Sequence, residues 1–149
     1  MDQCAILLST KRMVHYLAKK EYFDGKFKWF FKMAGCIPVN RSIKDIEASN
    51  RAINILKKKQ AIGLFPEGTR NKTDDFLLPF KFGAVSLAKK TNAYIVPVGI
   101  TGDYKFRSKN LVTIIGKPFK VNNMSLDEAN DKLREEISSL MLESLKNNR

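Results

Sequence analysis

The segment 65–70, Phe-Pro-Glu-Gly-Thr-Arg, has the residue types of a phosphate-binding turn and follows directly after an apolar run. Gly68 permits a positive φ or a close approach of a ligand to the backbone, and Thr69 offers a hydroxyl and an amide. Arg70 carries a planar guanidinium that matches two oxygens of a phosphate. Glu67 could orient Arg70 or accept a hydrogen bond from a substrate hydroxyl. In isolation these residues are more typical of a strand-ending turn with a surface Glu–Arg pair, so the neighbouring motifs decide.

Two other segments supply cations, and a third interrupts a strand. Lys81 stands two residues before Gly83, which opens a predicted helix whose first amides and positive dipole end suit an anion. The segment 35–41 predicts a short strand that brings Arg41 to a loop. Pro97 interrupts a predicted strand, which places it at an edge, a bulge or the mouth of a site because proline lacks the ladder N–H. The sequence therefore offers Arg41 and Lys81 as further ligands for an anion.

In these motifs the chain resembles the glycerophospholipid acyltransferases related to 1-acylglycerol-3-phosphate acyltransferase. That family has four ordered sequence blocks, and blocks two, three and four are matched by 35–41, 65–70 and 96–98. The likeness extends from residue 1 to about residue 120. It implies an α/β fold of the glycerol-3-phosphate acyltransferase type, with one domain over residues 1–149 and a mostly β sheet flanked by helices.

The resemblance also implies a reaction and a set of roles. A fatty acyl group would pass from a thioester, acyl-CoA or acyl carrier protein, to the free hydroxyl of 1-acylglycerol 3-phosphate, making phosphatidate. The residues that it assigns to the acceptor phosphate or its turn are Arg41, Glu67, Gly68, Thr69, Arg70 and Lys81. Among these, the cations would bind the phosphate, Gly68 and Thr69 would add backbone and hydroxyl contacts, and Glu67 would order the turn. No metal or resident cofactor is expected, because acyl transfer from a thioester needs neither.

The first block of the family, Asn-His-x-x-x-x-Asp, is matched only in part. Asp2 resembles its aspartate, which orients the catalytic histidine, and that histidine would then lie four positions ahead of Met1. The chain as written is therefore expected to be inactive, either as the product of a start codon assigned too late or as a fragment. The alternative is a relic that only binds lipid phosphate or an anionic membrane. His15, the sole histidine, is expected to be a structural strand residue.

The net charge of +12 favours phosphate-bearing partners, whether a nucleic acid or an anionic bilayer. The excess lies in the first two thirds of the sequence, since residues 111–149 balance six basic against six acidic side chains. No helix-turn-helix, zinc-finger or aromatic sheet signature points to nucleic acid. The segment 22–32 mixes aromatic residues with lysines, which predicts either ordinary core or a membrane-facing surface. With no apolar run long enough to span a bilayer, the chain is expected to be peripheral, at the cytoplasmic face of a membrane.

Short apolar runs alternate with amphipathic ones, the pattern of an α/β domain. Ser125 and Glu128 form a predicted capping box that opens the last helix, with Met124 as its staple. The predicted strands cover 13–18, 36–39, 61–65, 93–100 and 111–115, and the predicted helices cover 3–10, 26–33, 43–59, 83–91 and the residues after 125.

Overall fold

The computed structural model describes residues 6, 9–25, 28–40, 45–69, 71–73, 75–102 and 111–147. Its contacts group the chain into two compact units, one formed by residues 10–64 and the other by residues 1–9 with 65–149. Both units combine helices and strands, which confirms the predicted α/β class. One domain over residues 1–149 stays a prediction.

The unit of residues 10–64 is built on three parallel strands. Strand β1 lies in the middle of the order β2-β1-β3, with Leu17 opposite Ile37 on one side and Tyr16 opposite Gly63 on the other. Alternate residues of β1 are buried, as a strand covered on one face requires. The elements are β1 (Val14–Lys19), a 3-10 turn (Lys20–Phe23), α1 (Lys28–Met33), β2 (Ile37–Val39), α2 (Ile46–Lys57) and β3 (Ala61–Gly63).

Helix α2 begins at a side-chain cap. The Asp45 carboxylate accepts hydrogen bonds from the backbone N–H of Ala48 at 2.9 Å and of Asn40 at 2.8 Å. The first is the usual N-cap bond of an aspartate, and the second ties the end of β2 to the start of the helix. Both bonds favour the charged carboxylate, and the Asn40 bond contributes most to holding the pKa of Asp45 below its usual value.

Acid is expected to remove the stabilisation that Asp45 provides. Because its pKa is lowered on folding, the contribution is full above the unfolded pKa of about 3.9 and disappears as the pH falls through the folded pKa. Asp45→Ala should therefore lower the unfolding midpoint at neutral pH and converge with the wild type in strong acid. Thermal unfolding followed across a pH series measures this. Asp45→Asn, which keeps a neutral acceptor, should lose less stability at neutral pH and should approach the wild type in acid in the same way, because it does not titrate either. Parallel pH profiles for Asp45→Ala and the wild type would contradict the assignment.

The unit of residues 65–149 packs two helices around a small apolar core. Val85 and Ala88 of the first helix are buried against Ala129 and Leu133 of the second, together with Phe80 and Val121. Strands β4 and β5 are antiparallel neighbours, paired from Val98 with Ile115 to Thr101 with Val112. The elements are α3 (Gly83–Thr91), β4 (Val98–Thr101), β5 (Val112–Ile115) and α4 (Leu126–Asn147).

Helix α4 begins with the predicted capping box. The Ser125 N–H donates to the Glu128 carboxylate at 2.7 Å, and the Glu128 N–H donates to the Ser125 hydroxyl at 3.1 Å. Met124 packs against the core, as expected for a staple residue. This part of the prediction is confirmed. None of the helices within the described ranges is both long and apolar enough to cross a membrane.

The predicted strand over 93–100 is wrong in extent. Ile95 forms only an isolated bridge with Phe119, and the regular strand starts at Val98. Pro97 lies between them, buried, and its carbonyl accepts the Gly116 N–H at 2.9 Å. Because Pro97 has no N–H of its own, the ladder breaks there. The predicted helix over 3–10 lies largely outside the described residues, of which Ile6 and Ser9 are helical.

Candidate functional site

The segment after β3 forms a tight turn. The Gly68 N–H donates to the Phe65 carbonyl at 3.0 Å, which closes a four-residue turn with Pro66 at its second position. Gly68 has a φ of +68°, in the region that favours glycine. Glu67 and Gly68 are half-buried and Thr69 is exposed. The backbone conformation predicted from the Glu-Gly-Thr sequence is therefore present.

Lys81 lies directly over this turn. Its backbone N–H donates to the Pro66 carbonyl at 2.8 Å. A Cβ atom placed on Gly68 would stand 2.9 Å from Lys81 Cδ and 3.1 Å from Nζ, so the lysine side chain occupies the space that glycine leaves. Lys81 is exposed to solvent. The structure thus brings together two residues that the sequence separates by thirteen positions, and it places an ammonium group beside the exposed backbone of the turn.

The N-terminus of α3 adds to the positive character of this place. Phe82, its N-cap residue, provides no side-chain hydrogen bond to the helix, and the first turn of α3 contains no acidic residue. The partial positive charge of the first amides is therefore not offset by the helix's own side chains. Because α3 begins two residues after Lys81, an anion at Lys81 would also experience this helix end.

One carboxylate oxygen of Glu67 is buried in the turn. This Oε2 atom has no hydrogen-bond partner among the residues described. A carboxylate oxygen that is withdrawn from water costs free energy unless a donor satisfies it. Arg70 follows three residues later and lies outside the described residues. The ordering role of Glu67 and its pairing with Arg70 therefore stay predictions.

Two phenylalanines border the cationic turn, a feature that sequence reasoning missed. Phe65 is 40% exposed and Phe82 is 45% exposed. They are the chain neighbours of Pro66 and Lys81, whose backbones are hydrogen-bonded to each other. Both phenylalanines are chain neighbours of predicted motif residues, which was the available signal for them. An amphiphile would meet charge and apolar surface together here.

Three of the predicted site residues, Asp2, Arg41 and Arg70, lie outside the described residues. Their assigned roles stay predictions. The residues that the structure brings together are Glu67, Gly68, Thr69 and Lys81, all within the unit of residues 65–149.

His15 has a structural contact in the other unit. Its Nδ1 atom is 2.7 Å from the Gly35 carbonyl oxygen, which can only accept, so Nδ1 is the donor. Its Nε2 atom is buried, with no hydrogen-bond partner within the described ranges. A base for acyl transfer must reach a substrate hydroxyl. The buried Nε2 does not meet this requirement, which supports the structural role expected for His15.

Comparison with known proteins supplies the family. A family model described as "Acyltransferase" matches residues 2–101, two thirds of the chain. The chain belongs to the acyltransferase family. The matched range of this family member includes all seven residues that the sequence analysis assigned to the site, from Asp2 to Lys81.

Curated relatives and a solved structure agree with the family. The chain is 34% identical over 110 residues to the 1-acyl-sn-glycerol-3-phosphate acyltransferase of Bacillus subtilis, covering 70% of this chain and 54% of the relative. It is 31% identical over 130 residues to the enzyme of the same name from Saccharomyces cerevisiae, covering 79% and 43%. The crystal structure of the 1-acyl-sn-glycerophosphate acyltransferase PlsC from Thermotoga maritima aligns with a TM-score of 0.72 and 25% identity, over 88% of this chain and 56% of that one. This family member therefore spans about half the length of the relatives that it matches.

Proposed function

We propose that this protein takes part in acylating the free hydroxyl of 1-acylglycerol 3-phosphate to form phosphatidate, a step of phospholipid biosynthesis. The observation that carries the proposal is the position of Lys81 over the Gly68 turn, at the uncapped end of α3. The relatives named above, whose names specify this acceptor, supply the substrate class.

The acceptor phosphate would bind where the positive groups converge. Lys81 would donate charge-assisted hydrogen bonds to it, and the exposed Thr69 would add its hydroxyl. Arg41 and Arg70 are assigned to the same phosphate by resemblance. The half-exposed rings of Phe65 and Phe82 favour an acceptor that carries an acyl chain, because they offer apolar surface beside the charge.

The reaction transfers the acyl group from a thioester to an alcohol. The acceptor oxygen attacks the thioester carbonyl carbon, the new C–O bond forms, the C–S bond breaks, and the sulfur leaves. The proton of the attacking hydroxyl must pass to a base, which returns it to the leaving sulfur so that the free thiol is released. The resemblance assigns this proton transfer to a histidine of the first sequence block and its orientation to Asp2. Neither a metal nor a resident cofactor is part of the proposal.

Acyl-CoA and acyl carrier protein both fit the role of donor, because both present the acyl group as a thioester on the same kind of arm.

We place the protein at the cytoplasmic face of a membrane, where the acceptor and product would reside. The excess of basic residues favours electrostatic attraction to an anionic lipid surface. The alternative is a relic of the family that binds lipid phosphate without transferring an acyl group.

Lys81→Gln is expected to lower the affinity for lysophosphatidate about tenfold, because a charge-assisted hydrogen bond contributes about 1.5–3 kcal/mol. Lys90→Gln, which removes the same charge from the exposed last turn of α3, should leave the affinity unchanged. Acceptor binding is measured by titration calorimetry. Arg70→Ala should weaken binding to a similar degree. Equal affinity in Lys81→Gln and Lys90→Gln would show that the phosphate binds elsewhere.

Acyl transfer is measured on the product of the complete reading frame that contains this sequence, with labelled acyl-CoA and acyl carrier protein tried separately. Labelled phosphatidate is the expected product, and Lys81→Gln should raise the KM for the acceptor. Acceptor binding without any transfer from either donor would support the relic. Absence of both binding and transfer would overturn the proposed function.

A further inference from the structure

An exposed apolar surface lies on the unit of residues 10–64. The turn around Gly68 belongs to the other unit. We define the α1 patch as Trp29 and Met33 with the neighbouring Lys28, all on α1. Trp29 is 63% exposed and Met33 is 67% exposed. Two large apolar side chains exposed on one face of a helix indicate a surface that another body covers.

The packing of α1 explains why these side chains point outward. Phe31 stacks on Tyr22 with ring centroids 5.3 Å apart and is tilted against the buried Phe23 at 5.8 Å. It therefore anchors one side of the short helix. Trp29 and Met33 are four residues apart, so they share a face, and this face lies opposite to Phe31 in the helical period. Phe31 therefore packs on the inner side of α1, and Trp29 and Met33 lie on its outward face.

The charge around the patch restricts what can cover it. Residues 10–64 carry thirteen Lys and Arg against four Asp and Glu. Lys28 lies on α1 and is exposed, and so are Lys19 and Lys20 at the adjoining 3-10 turn. The acidic Glu21 and Asp24 lie in the same stretch without cancelling the excess.

We propose that the α1 patch docks this protein onto an anionic lipid surface. Indole and thioether side chains enter the boundary between headgroups and acyl chains, while lysines bind the lipid phosphates. A second copy of the chain would bring the same positive charge to the interface and would be repelled, which favours a bilayer. The proposal deepens the proposed function, on which it rests for the reason that a membrane would be visited, and it locates the surface.

Trp29 is the one tryptophan of the chain, so tryptophan fluorescence, excited selectively over the tyrosines, reports on this patch alone. Vesicles of phosphatidylcholine mixed with phosphatidylglycerol are expected to shift its emission to the blue, and lipids brominated along the acyl chain should quench it. Vesicles of phosphatidylcholine alone should give a weaker response. Added salt should weaken the binding as well, because it screens the lysines.

Met33→Glu is expected to lower the vesicle partition constant about tenfold or more, because it replaces apolar surface that would enter the bilayer with a negative charge that anionic lipids repel. Leu142→Glu is the matched control: Leu142 is exposed on α4, in a part of the chain with balanced charge, and the same added charge there should leave partition nearly unchanged. Because both positions are exposed, neither variant should unfold the protein, which circular dichroism checks.

Two results would overturn the docking proposal. One is an emission spectrum that anionic vesicles leave unchanged. The other is a blue shift that grows with protein concentration in the absence of lipid, which would assign the patch to a second copy of the chain. The vesicles contain neither acyl donor nor lysophosphatidate, so this outcome is independent of the acyl-transfer assay. Acyl transfer to a monomeric short-chain acceptor tests the proposed function without any membrane.

Discussion

Gly68→Ala is expected to lower the affinity for lysophosphatidate at least about tenfold, since it disturbs the lysine that would make the charge-assisted contact. The added methyl carbon would stand 2.9 Å from Lys81 Cδ, so the lysine must leave its position over the turn. The φ of +68° also disfavours any residue with a Cβ, at a cost of about 1–2 kcal/mol. The substitution should therefore reduce both acceptor binding and the free energy of unfolding.

Titration calorimetry and chemical denaturation measure the two effects separately. Gly25→Ala is the control, because Gly25 has no positive φ and a Cβ there would meet nothing within 4 Å. The double variant Gly68→Ala with Lys81→Gln should bind no more weakly than the weaker single variant, because both changes remove the same contact. Fully additive losses would show that Gly68 contributes to binding independently of Lys81.

Gly63→Ala is expected to destabilise the protein by about 2–3 kcal/mol, the range of a severe overpacking change. Gly63 is paired with Tyr16 across β1 and β3, and a Cβ on it would overlap the Tyr16 ring, at 2.7 Å from Cδ1. Tyr16 is buried, so the ring has little room to yield. The strain would therefore fall on the parallel sheet on which the unit of residues 10–64 is built.

Urea denaturation gives the free energy of unfolding for Gly63→Ala. Combining it with Tyr16→Ala tests the cause, because removal of the ring should abolish most of the penalty of Gly63→Ala and make the two changes strongly non-additive. If Gly63→Ala were as stable as the wild type, or if the double variant showed simple additivity, the contact with the Tyr16 ring would not be what requires glycine at this position.

The helices were predicted well where local signals decide their ends. Helix α3 has the predicted bounds, and Ser125 with Glu128 opens α4 as expected, since both depend on neighbouring residues alone. Strands were predicted less well. β3 ends at Gly63 rather than at residue 65, because Phe65 already belongs to the turn that Gly68 closes. Strand extent depends on which partner continues to pair, and the sequence does not show this.

The sequence predicted which residues form the candidate site. The contacts between them could be known only from the folded structure. The turn around Gly68 follows from its own sequence, and so does its positive φ. The position of Lys81 does not, because it depends on a hydrogen bond to Pro66 across fifteen residues. The exposure of the Phe65 and Phe82 side chains was not predicted from the sequence either.

The bond between Pro66 and Lys81 has a thermodynamic consequence. It exists only when the unit of residues 65–149 is folded, because it joins two segments that are distant along the chain. A ligand that needs both segments therefore binds the native state and not the unfolded chain, and its binding energy adds to the resistance of this unit to unfolding. Occupancy of the site and stability of the fold would in this way be coupled in one equilibrium, in which a higher concentration of such a ligand favours the folded state.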